Sequence, residues 1–164
     1  MAADFRIEDG VRPTIRVRSA QEEAEQRRRL RGLFDAAASH YEWIDRVMSL
    51  GWGGWYRRDA LQRVGLQAGM RVLDVAVGTG AVARHAARMG GAAGRVVGVD
   101  PSAGMLRQAR RSLPIPLVQG VAEELPFRAH VFDAVTVGYA LRHVVDLRQT
   151  FVEYARVLKP GGTL

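Results

Sequence analysis

The stretch best equipped for chemistry is Val72–Leu73–Asp74–Val75–Ala76–Val77–Gly78–Thr79–Gly80. A β-branched apolar run leads into two glycines, so a strand is followed by a tight turn where a ligand can approach backbone N–H groups closely. Twenty residues past Gly80 stands Asp100, at the end of a second apolar run over residues 95–99. In doubly wound folds an acid at that place accepts hydrogen bonds from ribose hydroxyls. Turn and acid together describe a nucleoside-bearing cofactor at the carboxyl edge of a parallel sheet. A dinucleotide calls for G-x-G-x-x-G and room for a pyrophosphate. Here the third glycine is out of register, and Asp74 lies inside the strand ahead of the turn. A carboxylate there suits an ammonium rather than a diphosphate, which points to S-adenosylmethionine. Asp74, Gly78, Gly80 and Asp100 are therefore cofactor-binding candidates, with Ala76 in the turn and Pro101 beside the acid counted among them.

The elements that must hold this turn can be read from spacing. Residues 21–40 are mostly good helix formers, with Leu30, Leu33, Phe34 and Ala37 on one face. A second helix fits residues 42–50, residues 51–54 break it with glycines, and a third helix runs over 55–64. Beyond them the texture alternates. Strands are expected over 71–77, 95–99, 115–121 and 132–139, and helices over 81–89, 102–113 and 146–158, with Ser102 as an N-cap. Lys159–Pro160–Gly161–Gly162 reads as a stop. Strands alternating with helices imply a Rossmann-like α/β fold, a parallel sheet with helices on both faces. The organisation expected is a flexible arm over 1–20, a helical lid or substrate region over 21–66, and a cofactor-binding domain over 67–164.

Composition narrows the class. The chain has 164 residues, is 48% hydrophobic and 25% charged, and carries a formal charge of +7. Such an apolar share closes the core of one domain and excludes a disordered tail. Cysteine is absent, so a disulfide scaffold and thiolate zinc sites are excluded, and no metal site is expected. No run approaches the roughly 20 apolar residues of a membrane span. Asp4, Glu8 and Asp9 stand where a secretory signal would be apolar. A soluble, cytoplasmic location is the expectation. The positive charge is spread thinly, residues 1–31 holding eight Arg against six acids. Arg27–Arg28–Arg29 and Arg31, flanked by Glu22, Glu23 and Glu25, read as a solvated helix face, so no nucleic-acid partner is expected.

Several further blocks stand in a fixed order. They are Phe34–Asp35, then Tyr41–Glu42–Trp43–Ile44–Asp45–Arg46–Val47–Met48–Ser49–Leu50–Gly51, then Leu125–Pro126–Phe127 and Phe132–Asp133–Ala134–Val135–Thr136–Val137. Leu141–Arg142–His143–Val144 and Arg156–Val157–Leu158–Lys159–Pro160–Gly161–Gly162 follow. From about Arg29 onward the chain thus resembles the class I methyltransferases and, more narrowly, the ubiquinone/menaquinone biosynthesis C-methyltransferase family. It departs from that family's pattern at Asp45, Gly53, Val121, Gly138 and His143, which replace Asn, His, a polar residue, Ser and Asn.

The resemblance implies S-adenosylmethionine as cofactor, contacted by Thr79 and, through the ribose, by Asp100. Val121 and Ala122 match the adenine-side pair, Val121 through backbone alone. Gly138 matches a cofactor-contacting Ser. Met105 would pack on the adenine, although a plain helix-core role fits it equally. Tyr41 would lie over the methionine end, and Arg142 matches the family's Arg. The implied reaction is in-line transfer of the sulfonium methyl to an aromatic ring carbon, with alignment alone worth roughly 7–11 kcal/mol. Arg142 could stabilise a phenolate, and His143 could act as base or simply hold a hydrogen bond. Tyr41 completes the catalytic candidates, and His40 is an alternative base. His85 and His130 look like surface positions. Trp43, Trp52, Trp55 and Tyr56 suit an apolar lid, or ordinary helix packing.

The partners implied are an aromatic, apolar small-molecule acceptor, with peripheral membrane proximity if it is prenylated. Methylation of oxygen or nitrogen in a secondary metabolite is an alternative, and a non-catalytic methyltransferase-like subunit is another. The family's sheet has seven strands, and only four are legible before Gly161. The last strands are therefore expected to be missing. A second copy or another chain could cover the apolar edge left by strand four and the last helix.

Overall fold

A computed structural model describes residues 19–38, 53–91, 95–138 and 140–164. The expected arm, the expected helix over 42–50, and His40, Tyr41, Trp43 and Trp52 lie outside these residues.

Helix α1, Ala20–Ala37, starts on a capping box in which Glu22 N–H donates to Ser19 Oγ and Ser19 N–H donates to Glu22 Oε2. Helix α2, Gly53–Arg63, takes in two of the three glycines expected to break the chain, Gly53 and Gly54. A first helical turn lacks intrahelical partners for its N–H groups, so glycine there costs little. Next come β1 (Arg71–Val75), α3 (Ala81–Gly90), β2 (Arg95–Asp100), α4 (Ala103–Arg110), β3 (Leu117–Gln119) and β4 (Phe132–Val137). A single 3₁₀ turn over Leu141–His143, helix α5 (Leu147–Val157) and strand β5 (Leu158–Thr163) complete the order.

All five strands are parallel, in the order β3-β2-β1-β4-β5. Strand β1 is central, with Val72 opposite Val96 on one side and Ala134 on the other. Both faces are buried. Val72, Ala83, Leu106 and Leu113 pack under α2, α3 and α4, while Leu73, Val75, Val99 and Val135 pack with Tyr154 and Val157 of α5. That is the burial of a doubly wound sheet.

Two expectations about strands are corrected. Strand β1 stops at Val75 rather than Val77, because Ala76 turns the chain with φ 54°. A fifth strand is present. Helix α5 ends at Val157, and Leu158 takes an extended backbone at once, pairing opposite Phe132. The segment read as a stop is a bulged edge strand: Pro160 has no N–H to donate and Gly161 sits at φ 77°, both tolerated at an irregular edge. Asp133 secures it, accepting from Lys159 Nζ at 2.6 Å and from the Arg71 N–H at 2.8 Å, so one carboxylate joins β1, β4 and β5. On the outer side of α5, Leu147, Phe151 and Val152 are exposed, as expected of that helix.

Candidate cofactor site

The turn after β1 is a chain of left-handed residues, with Ala76 at φ 54°, Gly78 at 56° and Gly80 at 89°. A left-handed alanine is strained by about 1–2 kcal/mol, so the turn spends energy to aim its N–H groups. Gly80 is the N-cap of α3, and a Cβ there would run into the Leu113 side chain. The Gly78 N–H donates to Asp100 Oδ2 at 2.8 Å, and the Ser102 N–H donates to Asp100 Oδ1 at 2.8 Å. Asp100 is thus locked at the end of β2 by the turn on one side and by the start of α4 on the other. Burial still pushes its carboxyl above the usual range, against the pull of those two donors. Each of its oxygens keeps a lone pair for a further donor.

Asp74 lies one layer below. It is 1% exposed, and its Oδ1 accepts from Thr136 Oγ1 at 2.7 Å. Its Oδ2 is buried with no hydrogen-bond partner. Burial first, and the nearby Asp100 charge to a smaller degree, push this carboxyl up to about 7, with the Thr136 hydroxyl and then the Ala83 N–H at the start of α3 pulling the other way. A buried carboxyl with one oxygen short of a full hydrogen bond is costly to ionise.

A cleft of about 130 Å³ opens above. Ala76, Gly78, Asp100, Pro101, Met105, Val121 and Gly138 line it, together with Arg142 and His143, nine of the expected site residues. Asp74, Thr79, Gly80 and Ala122 do not reach its wall; Asp74 and Thr79 are buried beneath the turn. The Asp74 side chain, expected near an ammonium, thus lies below the cleft wall. Tyr41 lies outside the described residues.

His143 sits on the 3₁₀ turn. Its Nε2 pairs with Arg142 Nε at 3.0 Å, and its ring meets Phe34 edge-on at 5.3 Å and 81°. Arg142 Nε can only donate, so His143 Nε2 accepts and the ring proton is on Nδ1. Burial first, then the Arg142 charge, lower its basicity. Neither ring nitrogen offers a free lone pair in this arrangement.

Sequence reasoning missed part of the cleft. Arg27, Arg31 and Phe34 of α1 line it, as does Glu123, whose Oε1 lies 3.8 Å from Arg27 Nε and accepts the Val145 N–H. The solvated-face reading of the arginine run thus holds for Arg28 and Arg29, which are exposed and away from the cleft, and fails for half-buried Arg27; Arg31 is exposed yet borders the cleft. The signal was available as the spacing 27, 31, 34, one face of a helix. Asp35, on the same face, reaches α4: its Oδ1 accepts from Ser102 Oγ at 2.6 Å and from the Gly104 N–H at 2.7 Å. The Ser102 hydroxyl and then the Gly104 N–H hold its carboxyl below the usual range.

A second, apolar cavity of about 320 Å³ lies between α2 and β4. Tyr56, Ala60, Leu61, Val64, Val82 and Leu164 line it, and it touches the first cleft at Gly138. Trp55 and Tyr56 are 65% and 58% exposed, so the described aromatics of α2 stand free of the core. Among the described residues no group of three or more His, Asp or Glu could hold a metal, and no helix is long and apolar enough to cross a membrane.

A parallel sheet in the order 3-2-1-4-5, a glycine turn after β1 and an acid closing β2 make a Rossmann-like α/β fold, and the methyltransferase class comes from the comparisons with known proteins. Solved structures agree: a SAM-dependent methyltransferase of Thermotoga maritima superposes with TM-score 0.65 at 25% identity, over 80% of this chain and 57% of that one. The chain belongs to the ubiE/COQ5 methyltransferase family, whose profile matches residues 20–164. It is 38% identical over 139 residues to the ubiquinone/menaquinone biosynthesis C-methyltransferase UbiE of Hahella chejuensis, covering 80% of this chain and 56% of that protein. It is 40% identical over 146 residues to the demethylmenaquinone methyltransferase of Symbiobacterium thermophilum, covering 84% of this chain and 58% of that protein. The chain therefore spans little more than half the length of these curated relatives.

Proposed function

We propose that this chain binds S-adenosylmethionine and serves a methyltransferase that acts on a ring carbon of a small aromatic, quinol-type acceptor. The observation that carries the reading is Asp100, fixed between the Gly78 and Ser102 N–H groups at the mouth of the cleft. The residues present fit the cofactor. Asp100 offers its remaining lone pairs to the ribose, Met105, Pro101 and Val121 offer an apolar wall to the adenine, and Asp74 offers a buried carboxyl beneath the methionine end. Bound there, the sulfonium supplies an electrophilic methyl group.

The chain's own groups then orient the acceptor. Arg142 spends Nε on His143 and keeps its remaining N–H groups for a phenolate oxygen, which raises the electron density of the adjacent ring carbon. His143 is the partner that holds the guanidinium, rather than the base. The apolar cavity meeting the cleft at Gly138 suits the acceptor's hydrocarbon part, and a prenylated acceptor would bring the enzyme to a membrane surface.

Calorimetric titration with S-adenosylmethionine tests the first half of this reading. Saturable one-to-one binding is expected, and absence of heat together with no thermal shift refutes it. Mass spectrometry of products from a panel of quinols and phenols tests the second half. A methyl on carbon is expected, whereas a methyl on oxygen or nitrogen overturns the carbon assignment.

A further inference from the structure

Four residues of α1, Arg27, Arg31, Phe34 and Asp35, follow the helical spacing that puts them on one face. Three of them line the cofactor cleft, and the fourth binds the end of α4 beside it. This face packs over a cleft rather than into a core, and α1 has no fully buried large side chain among its described residues. What fastens it can be traced bond by bond. Asp35 Oδ1 accepts the Ser102 hydroxyl, the Ser102 N–H donates to Asp100 Oδ1, and Asp100 Oδ2 accepts the Gly78 N–H. An unbroken chain of hydrogen bonds thus runs from the covering helix through the ribose acid to the glycine turn.

The two helices also approach closely. A Cβ on Gly104 would stand 2.9 Å from Asp35 Oδ1 and 3.0 Å from the Asp35 backbone. Ser102 already caps α4 by accepting the Met105 N–H, so Asp35 adds a second acceptor, brought from another element, for the Gly104 N–H. The end of α4 has its own cap. The contact from α1 therefore does more than stabilise α4: it ties a wall of the cleft to the residue that grips the ligand.

We propose that Asp35 is a positioning residue that clasps α1 over the cleft and, through Ser102, sets Asp100 for the cofactor, so that docking of α1 and cofactor affinity are coupled. This rests on the reading that the cleft takes S-adenosylmethionine. Because the coupling is reciprocal, cofactor binding must tighten α1 as much as α1 tightens the cofactor.

The test uses the purified full chain, with calorimetry for S-adenosylmethionine and for S-adenosylhomocysteine, and hydrogen exchange resolved over α1. For Asp35→Ala, affinity for both ligands is expected to fall about tenfold or more, and exchange in α1 to quicken in the free protein. Cofactor-induced protection of α1 should shrink in the same variant. Asp35→Asn keeps an acceptor oxygen for Ser102 and Gly104, and should bind within a few fold of wild type. Gly104→Ala blocks the approach without touching the charge, and should reproduce the Asp35→Ala affinity, with the double variant no worse than either single one.

Asp35→Ala affinity within twofold of wild type overturns the proposal, whatever happens to the melting temperature, because a merely structural role moves stability alone. An Asp35→Asn variant as weak as Asp35→Ala also overturns it, since charge rather than the clasp would then be at work. A wild-type chain that binds neither ligand refutes the functional reading itself, and that result is seen before any variant is compared.

Discussion

The buried carboxyl of Asp74 makes the stability of this protein fall as pH rises, and Asp74→Asn should remove that fall. The unfolded chain gives up this proton near 3.8, while the folded chain keeps it until about 7. Across that window the folded state holds one more proton, so each pH unit costs about 1.4 kcal/mol of stability. The contribution is fully present below pH 4 and lost by pH 7, where the accumulated penalty is on the order of 4 kcal/mol. Asparagine keeps an acceptor for the Thr136 hydroxyl and never ionises. Its NH₂, at the place where Oδ2 has no partner, costs about 1–3 kcal/mol. That cost does not vary with pH, so the slope carries the test and the intercept does not.

Urea unfolding of both proteins between pH 5 and 8 gives the difference curve. The stability of the variant relative to wild type should climb by about 1.4 kcal/mol per unit up to roughly pH 6.5 and level off above 7.5. Saturating S-adenosylmethionine, whose ammonium favours the carboxylate, should flatten the wild-type slope. A difference curve already level from pH 5 upward refutes the burial argument. A curve that declines with pH refutes it more strongly, because the native state would then be favouring the carboxylate.

Three further outcomes follow from geometry. Ala76→Gly should stabilise the free protein by about 0.5–1 kcal/mol in urea unfolding, the left-handed strain relieved less the backbone entropy of glycine; a loss of stability would show that φ 54° carries no strain. Gly80→Ala should cost about 2–4 kcal/mol, from the left-handed backbone and the encounter with Leu113. Leu113→Ala added to it should recover part of that loss, and full additivity of the two changes would count against the contact. Asp133→Asn keeps the acceptor for the Arg71 N–H and gives up the charge facing Lys159, a loss of about 0.5–1 kcal/mol at neutral pH. The Lys159 hydrogen bond first, and the Arg71 N–H next, hold the Asp133 carboxyl below 3.8. Its stabilisation is therefore present above about pH 4 and lost in acid, and the variant's melting temperature should converge on that of wild type there.

Much of the sheet could be read from periodicity, because β1, β2 and β4 are buried runs flanked by glycine or by an acid. The ends could not. The apolar run continues past Val75, yet the strand is broken by the left-handed backbone of Ala76, a conformation that alanine's type does not announce. Strand β5 hides behind Pro160 and two glycines that signal a stop in any isolated window. At the site, the meeting of Asp100 with the turn was legible because two glycines after β1 and an acid closing β2 are read directly from the letters, and the Gly78 N–H joins them. Arg27 and Arg31 were not, since a guanidinium facing a cleft and one facing water look alike when the acids beside them supply local pairs such as Glu25–Arg29. Asp35 was visible as a letter in a block, but its partner lies 67 residues away and only the crossing of α1 over α4 brings them together.

Lys159, whose ammonium bridges β5 to Asp133, has one more consequence. It is the only lysine in these 164 residues, against 23 arginines. Amine-directed acylation therefore addresses a single side chain, and that side chain sits on the outermost seam of the sheet. While Asp133 accepts from it at 2.6 Å the nitrogen is engaged, although the side chain is 41% exposed, so acylation should be slowed rather than blocked until that bond breaks. The modification rate of that one side chain, separated from the N-terminal amine by peptide mapping, thus becomes a clock for release of the Lys159–Asp133 bond between β5 and β4.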